Sequence, residues 1–244
     1  YPKRGIQTEM IGKVFSHVEH KMILGFKGLF LGITDGATQM LMDFCLVGEK
    51  GKKGTYNLKQ KQLDARFKKE RNEDSHTAKR IKEYDESKIK LMIEMIKRLI
   101  SRKIHFDYIL ADSWFACAEV IRFVTSRHIK CHYLGMIKMG KTKYHYNRKD
   151  YTAKALVALF DHPKKGRKFS RNLGCYYVTV DVEFAGRKVR LFFTKRNKKS
   201  EWNALITTNT ELEFKEAYRI YSMRWSLEVV FKDSKGNLGL GKYQ

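Results

Sequence analysis

From Cys175 to Phe193 apolar and polar residues alternate with a period of two. Tyr176, Val178, Val180 and Val182 interleave with Cys175, Tyr177, Thr179 and Asp181, and beyond Ala185-Gly186 the residues Val189, Leu191 and Phe193 interleave with Arg190 and Phe192. Successive side chains of a strand point to opposite faces, so this pattern on both sides of a Gly-containing turn predicts a β-hairpin. The hairpin lies in the most basic part of the chain. Residues 127–205 hold 20 Lys and Arg against 5 Asp and Glu, and so carry +15 of the formal +24. A disordered basic tail lacks such a supply of apolar residues. The stretch is therefore expected to fold, as a basic, β-rich, aromatic insertion over 127–205.

The segments on either side are close to neutral and read as an α/β core over 1–126 and 206–244. Residues 104–126 carry a net −2 and residues 206–244 a net +1. Phe106 to Ala111 is a short apolar run that predicts a buried strand ending on Asp112. Asp112 and Ser113 can cap a helix over 114–127. Residues 131–137 read as the next strand, giving β-α-β. Upstream, 21–25, 29–33 and 40–47 alternate with Gly-containing turns and suggest an antiparallel meander. Ile89, Met92, Ile93, Ile96, Leu99 and Ile100 recur at helical spacing and predict an amphipathic helix over 87–102.

A folded chain of 244 residues with pI near 9.8 calls for a polyanionic partner, most simply nucleic acid. No apolar stretch approaches the roughly 18 residues that a membrane span needs. Cys45, Cys117, Cys131 and Cys175 form no C-x-x-C, and no His pair has zinc-finger spacing. Four unpaired thiols suit a reducing, cytoplasmic compartment.

One more stretch, 211–235, reads as a helix. At about 100° per residue Tyr221, Arg224, Glu228 and Lys235 fall on one narrow stripe, with Ile220, Leu227 and Phe231 on the adjoining arc. A carboxylate flanked by two cations and a phenol can be a solvated i, i+4 ion pair, or it can face a phosphodiester. The spacing Tyr-x2-Arg-x3-Glu-x6-Lys resembles the signature of the IS4-type DDE transposases. "YILADSWF" (108–115) is similar to that family's second-aspartate motif, and "GLFLGITDG" (28–36) with "MDFCLVGEKGKK" (42–53) to the segment after its first aspartate.

The resemblance implies an RNase H-like mixed sheet with flanking helices, interrupted by the insertion. It implies metal-dependent cleavage of double-stranded DNA at element ends and transfer of the 3′-hydroxyl into target DNA, by a homodimer in the synaptic complex of a bacterial or archaeal nucleoid. Asp112 and Glu228 would be the catalytic residues and ligands of Mg2+ or Mn2+ in a two-metal site. Tyr221, Arg224 and Lys235 would hold phosphates of the element end, and Trp202 would stack on a base. The family's first aspartate would precede Tyr1, while Asp35 in Thr34-Asp35-Gly36 reads as a turn residue. The chain also stops at Lys242-Tyr243-Gln244, soon after the signature. The expectation is thus a catalytic-core fragment that cannot complete its metal site alone. The other reading from the residues is a basic DNA-binding relic or domesticated domain without catalysis.

Overall fold

A computed structural model describes residues 2, 3, 5–237 and 239. The aspartate expected before Tyr1 and the terminal Lys242-Tyr243-Gln244 lie outside the described residues. The chain divides by its contacts into two compact units, one of Tyr1–Ile104 with Trp225–Gln244 and one of His105–Arg224.

The first unit begins with two separate antiparallel ribbons. Strand β1 (Gly12–Ser16) pairs with β2 (Lys21–Gly25), and β3 (Lys27–Thr34) pairs with β4 (Gln39–Val47). The expected meander is therefore corrected: β2 turns back to β1, a strand that periodicity did not single out, and makes no ladder with β3. A β-bulge between Leu31 and Gly32 shifts the β3–β4 register. Two short helices follow, α1 (Gln60–Asp64) and α2 (His76–Glu83), and then α3 (Lys88–Ser101). Helix α3 occupies the stretch that the apolar spacing predicts. The Ser87 hydroxyl accepts the Lys90 amide hydrogen at its start, and Leu91 and Met95 bury against Cys45 and Val47 of β4.

The second unit is built on one mixed sheet. Its strands are β5 (Tyr108–Ala111), β6 (His132–Ile137), β7 (Lys143–Tyr146), β8 (Lys149–Thr152), β9 (Lys168–Ser170), β10 (Cys175–Phe184), β11 (Arg187–Lys195) and β12 (Asn203–Thr207). They lie in the order β5-β6-β12-β11-β10-β7-β8, with β9 also on β10. Strands β5 and β6 run parallel, joined through α4 (Ala118–Val124), and the other pairings are antiparallel. The predicted hairpin is β10 and β11, paired from Tyr176 with Lys195 to Phe184 with Arg187. Ala185 and Gly186 both have positive φ, 55° and 73°, as a two-residue turn matched to strand twist requires. The strands of the expected insertion continue the sheet that starts at β5, through the β6–β12 ladder.

Two expectations for helices are corrected. Helix α4 starts at Ala118, after an N-cap at Cys117, and not at residue 114. Asp112 and Ser113 do not cap it, because the Asp112 carboxylate is used by the next turn, where its Oδ1 accepts the Trp114 amide hydrogen at 2.8 Å. The single helix over 211–235 is two. Helix α5 (Ala153–Phe160) precedes them, and the stretch itself divides into α6 (Phe214–Ser222) and α7 (Trp225–Gly236). At the break the amides of Met223 and Arg224 reach back three residues, to Ile220 and Tyr221, both at 3.1 Å, which tightens the turn and ends the 3.6-residue period. The apolar residues of the two halves meet different partners, and only those of α6 are fully buried. Phe214, Ala217 and Ile220 join Leu134, Phe192 and Leu205 in the sheet unit. In the other unit the Phe231 ring meets Phe30 of β3 edge-on at 4.8 Å.

Candidate functional site

Asp112 is placed by β5. Along that strand Tyr108 and Leu110 pack toward the cluster that contains α6, and Asp112 continues the same alternation one step beyond the last paired residue, Ala111. Its carboxylate is exposed. Next to it stands Trp114, 57% exposed, with the Lys138 ammonium 5.1 Å from its ring centre. Spacing alone did not single out this aromatic–cation pair. The signal was available as the tryptophan two residues after the aspartate.

On the neighbouring strand β6, Tyr133 is wholly buried, and its hydroxyl occupies the space above Gly135, where an added Cβ would come within 2.5 Å of it. Gly135 is the partner of Ala111, so the tyrosine sits beneath the strand end that carries Asp112. Burial pushes the Tyr133 pKa up, and the charges of Cys117, Tyr221 and Asp112 push it the same way. Among the described residues this hydroxyl has no hydrogen-bond partner.

Tyr221 lies in the last turn of α6 and packs against the same cluster. Burial raises its pKa and the Asp112 charge adds to the rise, while Arg224 opposes it. The Arg224 guanidinium lies 5.8 Å from the Tyr221 ring centre, although among the described residues no group meets the buried phenol oxygen at full hydrogen-bonding geometry. Asp112, Tyr221 and Arg224 thus belong to one electrostatic neighbourhood in the unit His105–Arg224. Glu228 and Lys235 lie on α7, in the unit that contains Trp225–Gln244. The expected stripe of four is therefore not one helix face.

Trp202 lies in the sheet unit, directly before β12. Its indole Nε1 donates to Asp161 Oδ2 at 3.3 Å, and the Lys195 ammonium lies over the ring, 4.4 Å from its centre. Lys195 and Arg167 also pair with Asp161, both at 2.8–2.9 Å. Burial raises the Asp161 pKa, but these cations and the indole outweigh it and leave the carboxyl below its usual range. Asp35 lies in a turn, where its Oδ1 accepts the amides of Ala37 and Thr38 at 2.9 and 2.7 Å, and these bonds lower its pKa.

The donors for a metal are sparse. Among the described residues no group of three or more His, Cys, Asp and Glu is arranged to hold an ion. Asp112 and Glu228 are single carboxylates, one in each unit, and neither belongs to such a group, so neither unit by itself holds a two-metal centre. No helix among them is long and apolar enough to cross a membrane.

The class that these observations define is a mixed α/β protein with a multi-strand mixed sheet flanked by helices. No family model matches the sequence, and no characterised protein matches it by sequence. Among solved structures the chain is similar to one from the cryo-EM structure of a piggyBac transposase synaptic complex with hairpin DNA, at 14% identity and a TM-score of 0.37. The match covers 62% of this chain and 28% of that one, well under two thirds of its length. Such a likeness is too slight to bear on fold or activity.

Proposed function

We propose that this chain is part of the catalytic core of a DDE-type transposase of the IS4 kind, acting on double-stranded DNA. The observation that carries the reading is the placement of Asp112 beyond the end of a strand paired in parallel, in the same electrostatic neighbourhood as Tyr221 and Arg224 of the signature. The sheet would then be RNase H-like, with 127–205 as its basic insertion. The protein would work as a homodimer, in the cytoplasm.

In this reading Arg224 offers a planar fork to a phosphate and Lys235 a point charge. The Arg224 guanidinium lies over the Tyr221 ring, 5.8 Å from its centre. Asp112 and Glu228 would be the carboxylates for Mg2+ or Mn2+. The described residues do not make a complete site for such ions, so the order of bond breaking is not assigned to them. A second reading, a DNA-binding module without catalysis, is favoured by that same sparse donor set.

Nicking separates the two. The protein carrying this chain is incubated with Mg2+ or Mn2+ and a supercoiled plasmid bearing the DNA that flanks its coding sequence. Transposase chemistry predicts nicked plasmid, lost in Asp112→Ala and Glu228→Ala variants that retain plasmid binding. A parent protein that binds the plasmid and never nicks it overturns catalysis and leaves the binding module.

A further inference from the structure

A second basic surface lies in the sheet unit, built by β9, β10 and the loop after β11. It is an open pocket of about 550 Å3, within the size range of ligand sites. One wall is aromatic. Phe169 of β9 pairs in register with Tyr176 of β10, their ring centres lie 5.0 Å apart, and Phe169 is 52% exposed. Tyr176 is backed by the Arg167 guanidinium at 5.3 Å, which Asp161 fixes through a 2.9 Å ion pair.

The rest of the lining is cationic: Arg196, Lys198 and Lys199. Their loop is held by Asn197, whose Oδ1 accepts the amides of Lys199 and Ser200, each at 2.9 Å. Among the described residues no Asp or Glu lines the pocket. Gly174, with φ of 59°, completes the lining, and open space surrounds the position a Cβ would take there.

Three cations without a carboxylate select an anion, and an exposed ring selects a flat unsaturated face. A nucleotide has both. Duplex DNA shows its phosphates and groove edges but hides the faces of its bases, so only an unpaired base can reach Phe169. We propose that this pocket binds an unpaired nucleotide of a single-stranded DNA segment, its base stacked on Phe169 and its phosphates held by Arg196, Lys198 and Lys199. This rests on the reading of the chain as a DNA-handling protein, and adds to it a single-strand subsite whose lining includes neither Asp112 nor Trp202.

The test compares two fluorescent probes by anisotropy with the whole chain, oligo(dT) of twelve nucleotides and a twenty-base-pair duplex. Phe169→Ala is expected to weaken oligo(dT) at least about fivefold, the lower end for loss of one stacked base, and to leave duplex affinity within twofold. Phe169→Leu, which keeps apolar bulk, should lose the same affinity, and Phe169→Trp should restore it. Oligo(dT) carrying 4-thiothymidine should photocrosslink to the peptides of Phe169 or Tyr176. Equal loss on both probes, or none on oligo(dT), overturns the pocket while duplex binding leaves the DNA reading standing. Failure of the unaltered chain to bind either probe overturns both.

Discussion

Asp43 of β4 has a side chain only 8% exposed, yet it is held as a carboxylate, because its two oxygens meet Arg80 and Arg98, each at 2.7 Å. Burial alone would raise its pKa. The two arginines outweigh burial and leave the pKa below the usual value. Glu83 pairs with the same two arginines, at 3.1 and 2.7 Å, so the four charges form one network. A carboxyl with a depressed folded pKa contributes stability above its unfolded pKa of about 3.9, and loses that contribution as pH falls through the folded value. Asp43→Asn is therefore expected to lower stability at pH 7 by about 1–2 kcal/mol, a figure discounted because Arg80 and Arg98 are partly solvated. Urea midpoints at pH 7 and pH 3 check this. The variant's deficit should be smaller at the lower pH, and an equal deficit at both would assign the effect to packing. Nothing in the local pattern of β4 marked Asp43 for this role, since its partners lie 37 and 55 residues away along the chain.

The elements that were legible are those whose determinants are local. The β10–β11 hairpin is specified by alternation and its turn, α3 by apolar spacing and Ser87, and the strand before Asp112 by its short apolar run. The Ala185-Gly186 turn permits a check, because Gly186 holds φ at 73°. Gly186→Val should cost at least about 1 kcal/mol, since a β-branched residue at positive φ is strained, and thermal unfolding will show it as a lower midpoint. Gly186→Asn, which tolerates that backbone region, should recover much of the loss. What was not legible depends on distant partners. The pairing of β2 with β1 rather than β3 is a choice between ladders of similar local quality. The break at Met223 and Arg224 has no Pro or Gly to announce it. Ile220 packs in the core of the sheet unit while the half-buried Phe231 meets Phe30 in the other unit, a difference that a helical wheel cannot record. The candidate site shares this limit. Asp112, Tyr221 and Arg224 were found by motif spacing and fall in one unit, whereas the helix face that should have joined them to Glu228 and Lys235 was an extrapolation of periodicity.

Across the whole molecule, the two contact units divide the formal +24 almost evenly, +13 for His105–Arg224 and +11 for the remainder. The concentration of +15 on residues 127–205 is thus a property of the sequence order, while each folded unit is strongly basic. Duplex binding through phosphates should then fall steeply with salt. With six or more phosphates neutralised, affinity is expected to drop by about 10³-fold or more between 50 and 200 mM salt, and a titration of duplex anisotropy across that range measures the slope. A slope near zero would place the charge elsewhere than at DNA. The sheet also has a history in time. The β10–β11 hairpin is contiguous and closes on the order of 1–10 μs, but β6 must wait for β12, which follows it by roughly 65 residues. At ribosomal speeds of about 5–20 residues per second that wait is on the order of 3–13 s. During it the nascent chain shows β6 with one bare backbone edge beside Leu134 and Met136, the kind of edge that templates aggregation. A chain that ended between the two strands would keep that edge for good.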